Sequence, residues 1–358
     1  MNGFGACLIS YAVNKAILKA SVYGGLSDTL KRDFFDIYKN TAKVARNVTS
    51  KPVSADKVTY FLFKKENPTK FIQVDAKKLD DHWNKEAKIV FFIHGWTNNR
   101  EVQWYEDLKN AFLNRKEEYN IVQVDWNEPA NAIYTVSSIS TYDVGNHVGD
   151  LIIDLHKNHG IPLEHIILVG HSLGGQISGF IAKRVFKAIG KKMSRIIALD
   201  PAGPLFIQRP EDKRLNPTDA EVVHIVHSDG GTLGYPTSIG TIDFYPNGGS
   251  SQPGCKRIDL LDFKSLAEPF FCDHSRAWAY FVEAVLNPGT MLAKKCKDWS
   301  SFKDNKCDNV TVAVGDITTM EKDDFFLETN KEPPYTKNGN GKKGLSSNIL
   351  SLLKPRIL

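Results

Sequence analysis

The 358-residue sequence has no run of eighteen apolar residues, so it offers no transmembrane helix. It has no internal repeat at solenoid periods, which excludes a stacked-repeat architecture. It also lacks a strong excess of one charge: 46 Lys and Arg face 41 Asp and Glu, a balance of +5. That surplus sits at the two ends. Residues 1–57 carry nine basic and four acidic groups, and residues 331–358 six basic groups and only Glu332, which leaves the middle at −5. A nucleic-acid-binding domain places its basic stripe on the folded core, so an acidic centre argues against that class. The first 25 residues lack a basic n-region and are interrupted by Asn14, Lys15 and Lys19; with only Ala6 to Val13 as a short h-region they make a poor signal peptide.

What is present is ordinary globular material, 42% hydrophobic and 24% charged, in a chain long enough to bury a large core. Cysteines are few. Cys255, Cys272, Cys296 and Cys307 fall as two local pairs closing loops of 17 and 11 residues, each crosslink worth about 3 kcal/mol in a loop-entropy account. Cys7 is the odd one; its loss with a leader would make the count even. The sequons Asn47-Val48-Thr49 and Asn309-Val310-Thr311 fit the same extracellular setting, which is the expected localisation, four reduced cysteines in a cytosolic protein being the alternative. Lys337 to Ser347 is rich in Gly, Asn and Lys and reads as part of a basic flexible tail over 331–358. An N-terminal extension is expected over 1–57, as a signal or a loose helix.

Between these ends, compact apolar runs alternate with amphipathic stretches. Val58 to Phe63 and Phe71 to Val74 read as early strands joined through the turn signal Asn67-Pro68. Lys88 to Ile93, Ile121 to Asp125, Ile166 to Gly170 and Ile196 to Asp200 suit central strands buried on both faces. Helices are predicted over Trp104 to Glu118, Tyr142 to His156, Gly175 to Ala188 and Ser275 to Leu286, with strands over Val222 to Val226 and Thr241 to Tyr245. The alternation predicts one α/β domain with a mainly parallel central sheet flanked by helices.

Gly170-His171-Ser172-Leu173-Gly174 is a G-x-S-x-G at a predicted strand-to-helix junction, the setting in which a sharp turn lifts a serine hydroxyl above a sheet. A serine nucleophile needs a base, and the base an orienting acid. After Ser172 the histidines are His224, His227 and His274. The first two lie in or at the end of a strand-like run, whereas His274 is in a polar loop before a helix, beside Cys272; His274 is the expected base and His227 its rival. Asp200, at a strand end before Pro201, is the expected acid, with Asp229 after the next strand as the alternative. The oxyanion donors expected are the backbone N–H groups of Leu173 and of Trp96, the latter in the strand-to-loop run Ile93-His94-Gly95-Trp96, where Gly95 permits close approach.

Together with FFIHGW (91–96), VDW (124–126), GHSLGG (170–175), LDPAGP (199–204), DFYPNGG (243–249), QPGC (252–255), CDHSRA (272–277) and LETN (327–330), these residues resemble the animal pancreatic-lipase family of neutral lipases and phospholipases. The resemblance runs from about residue 58 to 330, the expected extent of the domain. It implies an α/β-hydrolase fold and a Ser172–Asp200–His274 triad acting on lipid carboxyl esters at a membrane or micelle surface. It also implies a lid between Cys255 and Cys272 (Lys256 to Phe271, 16 residues), shorter than in triacylglycerol lipases, as is the loop after His227. With no C-terminal β-sandwich domain expected, the character is that of insect phospholipases A1, ahead of a triacylglycerol lipase, a galactolipase or a non-catalytic yolk-type protein. No cofactor is expected to be required. A structural calcium is admitted by the family's acidic segment, here Glu211, Arg214, Asn216 and Asp219, although Asn216 replaces a carboxylate.

Overall fold

A computed structural model describes residues 52–76, 79, 82–255 and 267–337. Most of the expected N-terminal extension, Cys7, the Asn47 sequon, lid residues 256–266 and the tail beyond 337 lie outside the described residues. Among the described residues, no helix is long and apolar enough to cross a membrane.

Eleven strands form one sheet: β1 (Thr59–Lys64), β2 (Asn67–Val74), β3 (Lys88–Ile93), β4 (Tyr119–Asp125), β5 (Ile166–His171), β6 (Arg195–Leu199), β7 (Val222–Val226), β8 (Ile242–Pro246), β9 (Leu292–Lys295), β10 (Thr311–Ala313) and β11 (Asp323–Leu327). Their order is β10-β9-β11-β8-β7-β6-β5-β3-β4-β1-β2. From β4 through β3, β5, β6, β7 and β8 to β11 every pairing is parallel, and antiparallel pairs close both edges. The chain leaves β3 to one side for β4 and to the other for β5, so the C-terminal ends of β3 and β5 flank a switch point, where open α/β sheets form their sites.

The predicted central strands are buried end to end because helices cover both faces. Helices α2 (Tyr134–His159) and α3 (Leu173–Ile189) pack on one face through Val144, Val148, Ile152, Ile177 and Ile181. Helices α1 (Gln103–Leu113) and α4 (Ala267–Leu286) cover the other through Trp104, Leu108, Phe112, Tyr280 and Phe281. This is the expected α/β-hydrolase arrangement.

Four local expectations need correction. The β1–β2 turn is at Lys65-Glu66, and Asn67-Pro68 opens β2. Pro68 is tolerated because β2 is an edge strand. Helix α2 begins eight residues earlier than the periodicity predicts. Its first turns are rich in Ser and Thr, which are poor helix signals, yet Ser138, Ser140 and Thr141 donate their hydroxyls to carbonyls three or four residues back. Helix α4 begins at Ala267 rather than near Ser275, with Pro269 in its first turn, where proline forfeits no helical hydrogen bond. Finally, the chain does not become a free tail at 331: Tyr335 is buried against α4.

Candidate active site

The elbow after β5 is built from missing side chains. A Cβ on Gly170 would sit 2.2 Å from the carbonyl oxygen of Gly174, and one on Gly174 would sit 1.9 Å from that of Ile93. Between them Ser172 is held at φ 58° and ψ −122°, a conformation costing about 1–3 kcal/mol. Its neighbours enforce it: the Ser172 N–H donates to Leu199 O at 3.1 Å, and Ser172 O accepts from Gly175 N (3.0 Å) and Ala202 N (3.1 Å). Among the described residues no hydrogen bond joins Ser172 Oγ to another group, His274 included.

One strand along, Asp200 follows β6 and is fully buried, at φ 45°. Its Oδ1 accepts the N–H groups of Ser228 (2.8 Å) and Asp229 (3.0 Å), and its Oδ2 accepts the Nδ1–H of His274 at 2.5 Å. The imidazole is thereby fixed in the tautomer that turns Nε2 away from the acid. His274 lies in α4, not in a loop before it, and Cys272, two residues earlier, is joined to Cys255. The second crosslink joins Cys296 to Cys307. Asp200, Asp229 and His274 cluster within 4.8 Å, the composition of a small metal site, but both Asp200 oxygens and the imidazole Nδ1 are engaged with one another or with backbone N–H groups.

Of the rivals, Asp229 lies in that same cluster, whereas His227 and the remaining histidine, His224, are enclosed elsewhere. Asp229 accepts the Leu233 N–H at 3.3 Å. His227 lies 2.8 Å from Asp243 through Nε2 and stacks on Tyr245 with ring centroids 4.4 Å apart. His224 is buried against Phe244, with neither ring nitrogen hydrogen-bonded among the described residues.

Gly95 brings the loop after β3 onto the serine: a Cβ there would meet Ser172 Cβ at 2.7 Å and Oγ at 3.3 Å. Trp96 follows Gly95 in this loop, and Leu173 is the first residue of α3. The loop is braced from behind by Trp126, of the VDW motif. Its N–H donates to His94 Nε2, its indole N–H donates to His94 O at 2.9 Å, and its ring stacks on the imidazole. The indole of Trp96 donates to Ala132 O and packs edge-on against Tyr134, whose hydroxyl reaches Pro204 O. Ile133, which precedes Tyr134, is exposed, as is Ile207.

Three supporting features were not legible beforehand. The His171 Nε2–H donates to His274 O at 3.1 Å, and burial, aided by the neighbouring His274, holds the His171 imidazole well below its ordinary value of 6.5, so it stays neutral. Gln252 donates its side-chain amide to Ser228 O and Pro246 O, and its backbone N–H donates to Asp273. Behind α4, buried Glu283 accepts the N–H groups of Tyr335 (2.7 Å) and Thr336 (2.8 Å), while Arg276 donates to the Tyr335 hydroxyl. Only the arrangement in space gives these residues a role.

A sequence model of the family described as Lipase matches residues 29–335. The chain belongs to the lipase family. Lipase member H-B of Xenopus laevis is 37% identical over 72% of this chain and 54% of its own length. Pancreatic triacylglycerol lipase of Mus musculus is 34% identical over 69% of this chain and 56% of its own length. The chain thus matches about half the length of these curated relatives. As a lipase-family member it gathers the family's scattered motifs into two layers: FFIHGW, GHSLGG, LDPAGP and CDHSRA supply the candidate site, while VDW, QPGC and LETN brace it. Thr329 of LETN, for example, donates its hydroxyl to Tyr280 on α4 and exchanges hydrogen bonds with Asn247 of DFYPNGG.

The four residues of the expected calcium segment lie within hydrogen-bond or ion-pair contact of one another, and two of them, Arg214 and Asp219, hold a lysine. The Lys183 ammonium donates to Arg214 O and to both oxygens of Asp219, beside a surface cleft of about 960 Å³ that is lined by residues of α2, of α3 and of the 211–219 segment.

Proposed function

We propose that the chain hydrolyses carboxyl esters of lipids by acyl transfer, and that its preferred substrates are glycerophospholipids cleaved at the sn-1 ester. The observation that carries the first part is the buried Asp200–His274 pair at the sheet edge that also presents a strained serine. His274 accepts the Ser172 proton as the hydroxyl attacks the ester carbonyl. Asp200 holds the imidazole and stabilises its charged form. The N–H groups of Leu173 and Trp96 receive the oxyanion, each such donor being worth about 10²–10³ in rate. The lysolipid alcohol leaves with the proton from His274, and water then releases the acyl group by the same route.

The exposed Ile133, adjoining the Trp96–Tyr134 wall, suits an apolar chain rather than a small water-soluble ester. The phospholipid preference rests on the short lid and the short loop between β7 and β8, which leave room for a polar head group. A triacylglycerol reading is favoured instead by the relative named as a pancreatic triacylglycerol lipase. The two crosslinks and the exposed Asn309 sequon support an extracellular setting.

The test uses position-labelled phosphatidylcholine against trioleoylglycerol. We expect sn-1 release with little triglyceride cleavage; the reverse ratio makes the chain a triacylglycerol lipase. Ser172→Ala is expected to abolish both, and Asp200→Asn to lower kcat by about 10⁴. Asp229→Asn is expected to lower it far less, and equal losses would transfer the acid role.

A further inference from the structure

A metal-binding loop needs oxygen donors with free lone pairs turned toward one point. The 211–219 segment has such donors, but they are taken. Lys183 Nζ donates to Arg214 O at 2.7 Å, to Asp219 Oδ1 at 2.6 Å and to Asp219 Oδ2 at 2.7 Å, which accounts for all three ammonium hydrogens. Asn216 contributes the wrong polarity. Its Nδ2 donates to Asp219 Oδ1 and Glu211 O, and its Oδ1 is taken up by the N–H and hydroxyl of Thr218. The Glu211 side chain is mostly exposed and approaches Arg214 at 3.6 Å. The calcium expected as an option therefore does not fit these residues as they stand.

We propose that the Lys183 ammonium is the resident cation of this loop, a tethered monovalent charge serving where an oxygen-ligand site would otherwise take calcium. The helix supplies it by register. Gln176, Gly179 and Lys183 recur at i, i+3 and i+7 and so share one face of α3. Gln176 Oε1 accepts the Leu215 N–H at 2.9 Å, and Gly179 lets the loop in so closely that a Cβ would meet Leu215 Cα at 2.8 Å. Lys183 then reaches the far end of the same loop. Asp219 is almost fully buried, so its charge requires a partner, and a lysine on the helix that starts at Ser172 provides one that no chelator removes. The loop between Pro204 and Asp219 is thus fastened to the nucleophile's own helix without an exchangeable ion.

The test is thermal unfolding and calcium calorimetry on the full chain. For the natural sequence we expect the same Tm in EDTA as in millimolar calcium, and no binding heat from this segment. Lys183→Met should lower Tm by about 10 °C, because it leaves a buried carboxylate unpaired. Lys183→Met combined with Asn216→Asp should recover part of that loss when calcium is added. A natural chain whose Tm falls in EDTA and returns with calcium would overturn the proposal, as would a Lys183→Met chain of unchanged Tm. A double variant indifferent to calcium would also overturn it, since the ammonium would then not occupy a cation position.

Discussion

Individual residues in this protein divide into those whose chemistry is used and those that are merely enclosed, and the three histidines after Ser172 show the difference. His274 has a buried carboxylate on Nδ1, and His227 has Asp243 and a stacked tyrosine. Among the described residues His224 has no hydrogen bond on either nitrogen, and burial, reinforced by the nearby Arg195 charge, drives its pKa well below 6.5. It is neutral when folded and titrates normally when unfolded. Below pH 6.5 the unfolded chain therefore binds the extra proton, so stability falls as pH falls, and His171 acts in the same direction. His224→Leu should flatten that acid decline and raise stability by about 1 kcal/mol at neutral pH, because it removes two unsatisfied buried nitrogens. Urea midpoints between pH 5 and pH 8 for both chains check this; parallel profiles would contradict it.

At the scale of elements, the G-x-S-x-G turn and the helix caps contain glycines for different reasons. Gly160 and Gly190 end α2 and α3 at φ 71° and 77°, and a Cβ at either would meet nothing within 4 Å. Alanine there should cost only the left-handed conformation, about 1–2 kcal/mol. Gly174→Ala would press a methyl group into the Ile93 carbonyl and should cost more than about 3 kcal/mol, with loss of activity through a displaced Ser172. Equilibrium unfolding of the Gly160→Ala and Gly174→Ala chains separates the two effects. The same contrast governs what could be read in advance. Strands β3 to β7 were legible because burial on both faces makes them continuous apolar runs. The first turns of α2, the start of α4, and the short mixed strands β9 to β11 were not, because side-chain-to-backbone bonds, a first-turn proline and strands of three to five residues leave no periodic signal. Within the candidate site, Ser172, Asp200 and His274 were expected from motif and chain order, and of these the structure hydrogen-bonds Asp200 to His274. The bracing roles of His171, Trp126 and Gln252 depend on contacts that no local pattern encodes.

For the molecule as a whole, the site is assembled from loops after β3, β5 and β6 and from a helix that the end of the described chain holds in place. Glu283, on the same helix as His274, is almost fully buried and takes its hydrogen bonds from the Tyr335 N–H and the Thr336 N–H and hydroxyl. A chain ending at Lys337 should keep its stability. A chain ending at Asn330 should lose about 3 kcal/mol, because that carboxylate is left buried without donors. Urea denaturation of the two truncations measures the difference, and equal midpoints would remove the clamp from the account. The clamp also sets an order of events during synthesis. Ser172 and Asp200 leave the ribosome early, and their strands can pair at once, whereas the helix bearing His274 is secured only when Tyr335 and Thr336 follow. A chain interrupted short of that point carries a nucleophile with an unsecured base. For a protein with the proposed activity, hydrolytic competence then waits on residues more than sixty positions beyond the base itself.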